Sequence, residues 1–189
     1  MRIIERRAFL GTALAGTLAA CAPLPDASRV RSAPRLTAHV RAGQDRTGRP
    51  RVVFGGLRLD TKVAPSDSGG DLYVIEHADA HQGGPPRHVH HDQDELFYVL
   101  EGAYRLHVGE AVFDLGPGDS VFAPRGVPHV WAHVGDGVGR MLLAFQPAGR
   151  MERFFEGLAS LGPAPTPATM GPLFAAHGMT LLGPPLDLG

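Results

Sequence analysis

From about residue 35 to residue 146 the chain never holds one pattern for long. Short runs of alternating apolar and polar residues are cut by Gly, Pro or Asp in nearly every gap. The runs are "LTAHV" (36–40), "RVVFGGLRLDTKV" (51–63), "DLYVIEHA" (71–78), "ELFYVLEG" (95–102), "AYRLHVG" (103–109), "AVFDLG" (111–116), "SVFAP" (120–124), "HVWAHV" (129–134) and "RMLLAFQ" (140–146). None has the length and 3.6-residue period of a helix. Many short strands at close spacing predict an all-β sandwich or small barrel. The 25 Gly and 17 Pro of the chain supply the turns that such a fold needs.

Helical signal comes only at the end. "RMERFFEGLASLG" (150–162) sets Met151, Phe154, Phe155, Leu158 and Leu161 along one face and stops at Gly162. A shorter helix is predicted over 172–177, with Gly178 as its C-cap. This tail is expected to pack against the outside of the barrel.

The N-terminus follows other rules. "ERRAFLG" (5–11) places two arginines before the apolar stretch "AFLGTALAGTLAA" (8–20), too short to span a bilayer. It fits a signal-peptide core. Arg6 and Arg7 followed by Phe9 and Leu10 resemble a twin-arginine (Tat) export signal. "LAAC" (18–21) resembles the lipobox of bacterial lipoproteins, which implies lipid on Cys21, the single cysteine of the chain. The stretch "APLPDASRVRSAP" (22–34) lacks periodicity and reads as a flexible spacer. The expected organisation is a signal peptide at 1–20, a lipidated tether at 21–34, a β-barrel at 35–148 and a helical extension at 149–189. The expected location is periplasmic or otherwise extracytoplasmic, with the membrane reached through the lipid alone. A formal net charge of −1 gives no reason to expect nucleic acid, whose phosphates call for clustered positive charge.

The chemistry gathers in two segments. In "RHVHHDQDELFYVLEG" (87–102), His88 and His90 are two apart and share a strand face, while His91 turns to the other. If Glu95 faces inward, Phe97 and Val99 do too. Asp92, Gln93 and Asp94 read as a solvated rim, together with His91. In "GDSVFAPRGVPHVWAHV" (118–134), His129, Trp131 and His133 again alternate. Brought together, the two segments can offer three His and one Glu to one ion, and this donor mixture admits Fe, Mn, Co, Ni, Cu or Zn. Phe113 and Phe122 read as core, and either Tyr104 or Arg105 faces inward.

These two segments resemble the paired motifs of the cupin superfamily. His88, His90, Glu95 and Gly102 match the first motif in order and spacing, and Gly118, Pro124, Gly126 and His129 match the second. Gly83 and Gly84 lie near, but not at, the usual place of the opening glycine. His133 stands where the family often has Asn. "GRMERFFEGLASLG" and "HGMTLLGPPL" resemble the C-terminal segment of single-domain, quercetin-dioxygenase-like cupins. The resemblance implies a jelly-roll β-barrel and one divalent first-row transition metal held by His88, His90, Glu95 and His129. It also implies Glu95 as the catalytic base and a pocket drawing on Phe97, Val99, Trp131 and His133.

Three functions follow as expectations. The first is a dioxygenase-like oxidoreductase acting on a small enolic or phenolic compound, flavonol-like in the narrowest version, with O₂ as co-substrate. The second is an isomerase, decarboxylase or lyase using the same site. The third is a non-catalytic lipoprotein that binds a metal or small molecule. A homodimer is a further expectation.

The anchor is directly testable. Each buried acyl CH₂ contributes about 0.8 kcal/mol, so several long chains make release negligible. Cys21→Ser is expected to leave the protein soluble or unprocessed on membrane fractionation. Unchanged membrane association would contradict the lipoprotein reading.

Overall fold

Two antiparallel sheets divide the strands between them in an order that repeatedly crosses from one to the other. The computed structural model describes residues 35–189; the predicted signal peptide, Cys21 and the tether lie outside the described residues. In chain order the elements are β1 (Arg51–Val53), β2 (Leu57–Val63), α1 (Pro65–Ser68), β3 (Tyr73–Asp79), β4 (His88–His90), β5 (Asp94–Glu101), β6 (Tyr104–Val108), β7 (Ala111–Leu115), β8 (Ser120–Ala123), β9 (His129–His133), β10 (Gly139–Gln146), α2 (Met151–Ser160), α3 (Pro167–Ala176) and β11 (Met179–Leu181). One sheet runs β1-β2-β3-β10-β5-β8 and the other β11-β4-β9-β6-β7. The inner quartets β3-β10-β5-β8 and β4-β9-β6-β7 have the strand order of a jelly roll, two Greek keys facing each other. Among the described residues no ladder joins the two sheets. The closed barrel expected from the sequence is therefore an open, two-sheet jelly roll.

Period-two alternation decides what lies between the sheets. Along β5, Glu95, Phe97 and Val99 are buried while Leu96 and Tyr98 face out. Tyr104 and Leu106 from β6, Trp131 from β9 and Met141, Leu143 and Phe145 from β10 join them in one core. The β5–β6 turn needs glycine at position 102. Its φ is +84°, and a Cβ there would come within 2.9 Å of the Gly139 Cα.

Several expectations change. "LTAHV" (36–40) forms no strand. Phe113 and Phe122 point outward, 37% and 57% exposed, because they occupy the outer positions of β7 and β8. Tyr104 is the inward member of its pair, and Arg105 pairs at the surface with Asp114 at 2.8 Å. Gln93 is buried rather than part of a solvated rim; a Cβ on Gly149 would strike its amide.

The tail differs most. α3 starts at Pro167, earlier than predicted, where Thr166 and Thr169 cap each other. The Thr169 N–H donates to the Thr166 Oγ1 at 3.3 Å, and the Thr166 N–H to the Thr169 Oγ1 at 3.0 Å. β11 pairs with β4, setting Met179 opposite His90 and Leu181 opposite His88. The helices do not pack outside. Phe154, Phe155 and Phe174 enter the same core cluster as Tyr73 and Phe145, with ring centroids 4.8 Å apart for Phe154–Phe174 and 5.9 Å for Phe145–Phe155. The apolar face of α2 is too rich in aromatics to lie on a polar outer surface, and it finds its apolar partners against β1 and α3. No helix among the described residues is long and apolar enough to cross a membrane.

His77, on β3, is fully buried beside Trp131, and the Tyr104 hydroxyl lies 3.3 Å from its Nδ1. Burial pushes its pKa down to about 4; Asp79 opposes this and His133 adds to it. Folded protein thus keeps His77 neutral at a pH where the unfolded chain, with a pKa near 6.5, takes up a proton. The stability His77 permits is full above that value and declines as pH falls toward 4, by on the order of 3 kcal/mol. Denaturant titration of metal-free protein from pH 7 to pH 4 should show this decline on top of that from the buried His88, and His77→Gln should make it shallower. An unchanged slope in the variant would contradict the assignment.

Candidate metal centre

Two sheets contribute to one cluster. β4 carries His88 and His90 inward, and β9 pairs with β4 at His88 opposite His129, which brings the third imidazole alongside. Glu95 arrives from β5 in the facing sheet. The Gly126 N–H donates to the His90 carbonyl at 2.7 Å, tying the turn before β9 to the histidine strand. All four side chains are buried. Their nearest donor atoms lie within 4.8 Å of one another.

The backbone sets the histidine tautomers. The Pro86 carbonyl accepts from His88 Nδ1 at 2.8 Å, and the Val127 carbonyl accepts from His129 Nδ1 at 3.2 Å. Each bond turns Nε2 toward the cluster, where the neutral ring would offer its lone pair to an ion. The His129 Nε2 lies 3.0 Å from the Glu95 Oε2, and the His90 Nε2 lies 3.3 Å from the same oxygen. His90 makes no hydrogen bond through either nitrogen, although it is almost fully buried. A buried imidazole without a partner is costly, and a metal bond to Nε2 is what it lacks.

The electrostatics agree with that use. Burial pushes the Glu95 carboxyl up, but the imidazoles of His129 and then His90, both close to its Oε2, outweigh it and hold the group below the ordinary carboxylate range. Burial, reinforced by the neighbouring His129 and His90, pushes His88 down to about 3. One anionic carboxylate beside a neutral imidazole is the protonation pattern that binding of a divalent ion demands. Metal–nitrogen and metal–oxygen bonds of about 2.0–2.2 Å place donors around one ion roughly 3–4 Å apart. The cluster is therefore sized for one ion, and its N and O donors suit a first-row transition metal without selecting among them.

Around the cluster is a chamber whose remaining walls are apolar. They include Leu59, Trp131, Phe145, Met151, Phe154 and Phe174, and no lysine or arginine. The room the chamber offers is small, about 40 Å³, far below that of an ordinary small-molecule pocket. Phe174 from α3 closes over His88 with ring centroids 5.5 Å apart. Of the four pocket residues expected from the sequence, Trp131 lines the chamber. Phe97 lies behind it, against His129 at 5.7 Å between ring centroids. Val99 is buried deeper in the core. His133 turns away and donates through Nδ1 to the His81 carbonyl at 3.1 Å. Phe54, Phe154 and Phe174 escaped the sequence reading. The amphipathic pattern of 150–162 signalled that Phe154 would be buried but not against what. For Phe54 the only signal was a bulky residue directly before Gly55-Gly56.

Residues 74–145 match the cupin domain family. That span holds all four clustered donors and, with the jelly-roll strand order, supports the cupin superfamily. An uncharacterized protein of Streptomyces coelicolor is 33% identical over 57 residues, covering 30% of this chain and 53% of that protein. The chain thus spans about half the length of the curated relative it matches. An RmlC-like cupin from Shewanella frigidimarina NCIMB 400 is 24% identical with a TM-score of 0.46, covering 61% of this chain and 96% of that one. KdgF from Halomonas sp. is 21% identical with a TM-score of 0.47, covering 52% of this chain and 86% of the other.

Replacing His129 with Ala should remove most of the bound metal. His91 faces outward and binds the Thr180 hydroxyl at 2.9 Å, so His91→Ala should leave metal content nearly unchanged. Metal analysis of the two purified variants checks both, and equal losses would contradict the inward and outward assignment.

Proposed function

We propose that this domain is a metal-dependent, dioxygenase-like enzyme acting on a small enolic or phenolic compound, with Glu95 as its base. The observation that supports this reading is a buried carboxylate shared between two imidazoles at the edge of an apolar chamber. His88, His90, Glu95 and His129 would hold one divalent ion. When bound, such an ion acidifies a hydroxyl, as it acidifies water. The rest belongs to the chain. The carbonyls of Pro86 and Val127 orient His88 and His129. The apolar walls exclude water, which strengthens every charge interaction inside. The Glu95 carboxylate would take the hydroxyl proton. The electron-rich anion so formed is one that O₂ attacks.

One observation favours a second reading, a non-catalytic binding protein: the chamber is nearly filled by its own aromatic side chains. For location, the proposal is an exported domain held at a membrane by lipid on Cys21.

Glu95→Gln separates the two functional readings. In an enzyme it should keep much of the metal and lose roughly 10²–10⁴-fold in turnover, because an amide still coordinates weakly but accepts no proton. Metal stoichiometry and O₂ uptake against a panel of catechols and enolic ketones, measured on one preparation, give the answer. A fully active Glu95→Gln enzyme with full metal would rule out Glu95 as the base. Turnover without O₂ would move the reaction to the isomerase, decarboxylase or lyase class.

A further inference from the structure

The β1–β2 hairpin turns on Phe54 and Gly55. Both have left-handed backbone, with φ of +50° and +79°, and the Gly56 N–H closes the turn on the Val53 carbonyl at 3.2 Å. This is the geometry of a type I′ turn, whose first position favours Asn, Asp or Gly. Among the described residues Phe54 is the only non-glycine with positive φ. A bulky aromatic there is disfavoured, and such outliers persist where the side chain's position matters.

Its position is distinctive. Phe54 lines the inner chamber of the metal cluster together with an outer hollow of about 550 Å³ and a neighbouring one of about 390 Å³. Of the lining residues it alone is common to all three. The larger hollow has apolar, rigid walls, among them Pro86, Pro165, Pro167, Met170 and Leu181. Its volume lies in the usual range for small-molecule sites, whereas the inner chamber is far below it. Neither the chamber nor the larger hollow is lined by a lysine or arginine that could pair with an anionic ligand.

We propose that Phe54 is the access- and specificity-determining residue of the site, admitting the chelating end of an uncharged, largely apolar small molecule whose body lies in the outer proline-lined hollow. The ligand class rests on the metal-centre reading above; the gating role of Phe54 does not. Rotation or loss of the Phe54 ring joins the two spaces, while the left-handed turn holds the ring at their boundary. A carboxylate-rich or phosphorylated ligand would lose its hydration on entry and, beyond the ion itself, find no cation in return.

Trp131 is the single tryptophan of the chain, is 4% exposed and lines the chamber, so its fluorescence reports what enters. Quenching by uncharged acrylamide and by iodide is measured on the folded protein, without metal. Phe54→Gly suits a left-handed position and should preserve the fold, as should Phe54→Asn. Both are expected to raise acrylamide quenching several-fold and to leave iodide quenching low. Phe113→Ala, on the outer face of β7, should change neither. Wild-type acrylamide quenching in both Phe54 variants would overturn the proposal. So would equal gains for iodide and acrylamide, which signify general loosening.

The ligand class is tested on Co²⁺-loaded protein through the visible absorption of the ion. Maltol, an uncharged hydroxy-ketone, should perturb it at several-fold lower concentration in Phe54→Gly than in wild type, and oxalate should perturb neither. Oxalate binding as tightly as maltol would overturn the class. Failure to bind Co²⁺ at all would defeat the metal reading, while the quenching result would still decide the role of Phe54.

Discussion

A carboxylate buried among three imidazoles is the constraint on which the rest of this structure depends. An unpaired charge in a low-dielectric interior costs several kcal/mol even after relaxation. Glu95 is 3% exposed and ionised, so something must compensate it. The compensation comes from His129 and His90, both directed at one of its oxygens. That convergence requires β4 and β9 to pair in one sheet, in the register that sets His88 opposite His129, while β5 in the other sheet turns Glu95 toward them. A slip of one residue in β5 would send Glu95 to solvent and Leu96 inward. Site and register are one specification.

Period two and turn chemistry made much of this legible in the sequence. His88 and His90 could be assigned a common face because strands alternate, and the same period tied Glu95 to the side of Phe97 and Val99. That His129 and Glu95 join the two histidines was implied by the cupin resemblance, because alternation does not relate residues on different strands. Phe113 and Phe122 were misjudged because alternation says which residues share a face and not which face is covered. Aromatic character tipped that reading toward the core, yet β7 and β8 present those positions outward. His133 shares the period of His129 and Trp131, but its ring is drawn away by the His81 carbonyl, a contact 52 residues distant that no local pattern encodes.

The tail shows the same limit on a larger scale. The stripe of Met151, Phe154, Phe155 and Leu158 announced an amphipathic helix. Its docking place depended on where the two sheets leave apolar surface uncovered. α2 lies against β1 and α3 against β11, so Phe154 and Phe174 line the chamber of the metal cluster, and β11 adds a second neighbour to the histidine-bearing β4. The C-terminal segment therefore shapes the chamber as much as the strands do. Its aromatics make the chamber dry and small, which supports both a protected reaction and selective entry.

The central claim is that four side chains form one metal centre. X-ray absorption at the metal edge of loaded protein tests it most directly. The account predicts a single shell of nitrogen and oxygen donors at about 2.0–2.2 Å, with the multiple scattering of three imidazoles. A shell with one imidazole or none, or with mostly water oxygens, would contradict it.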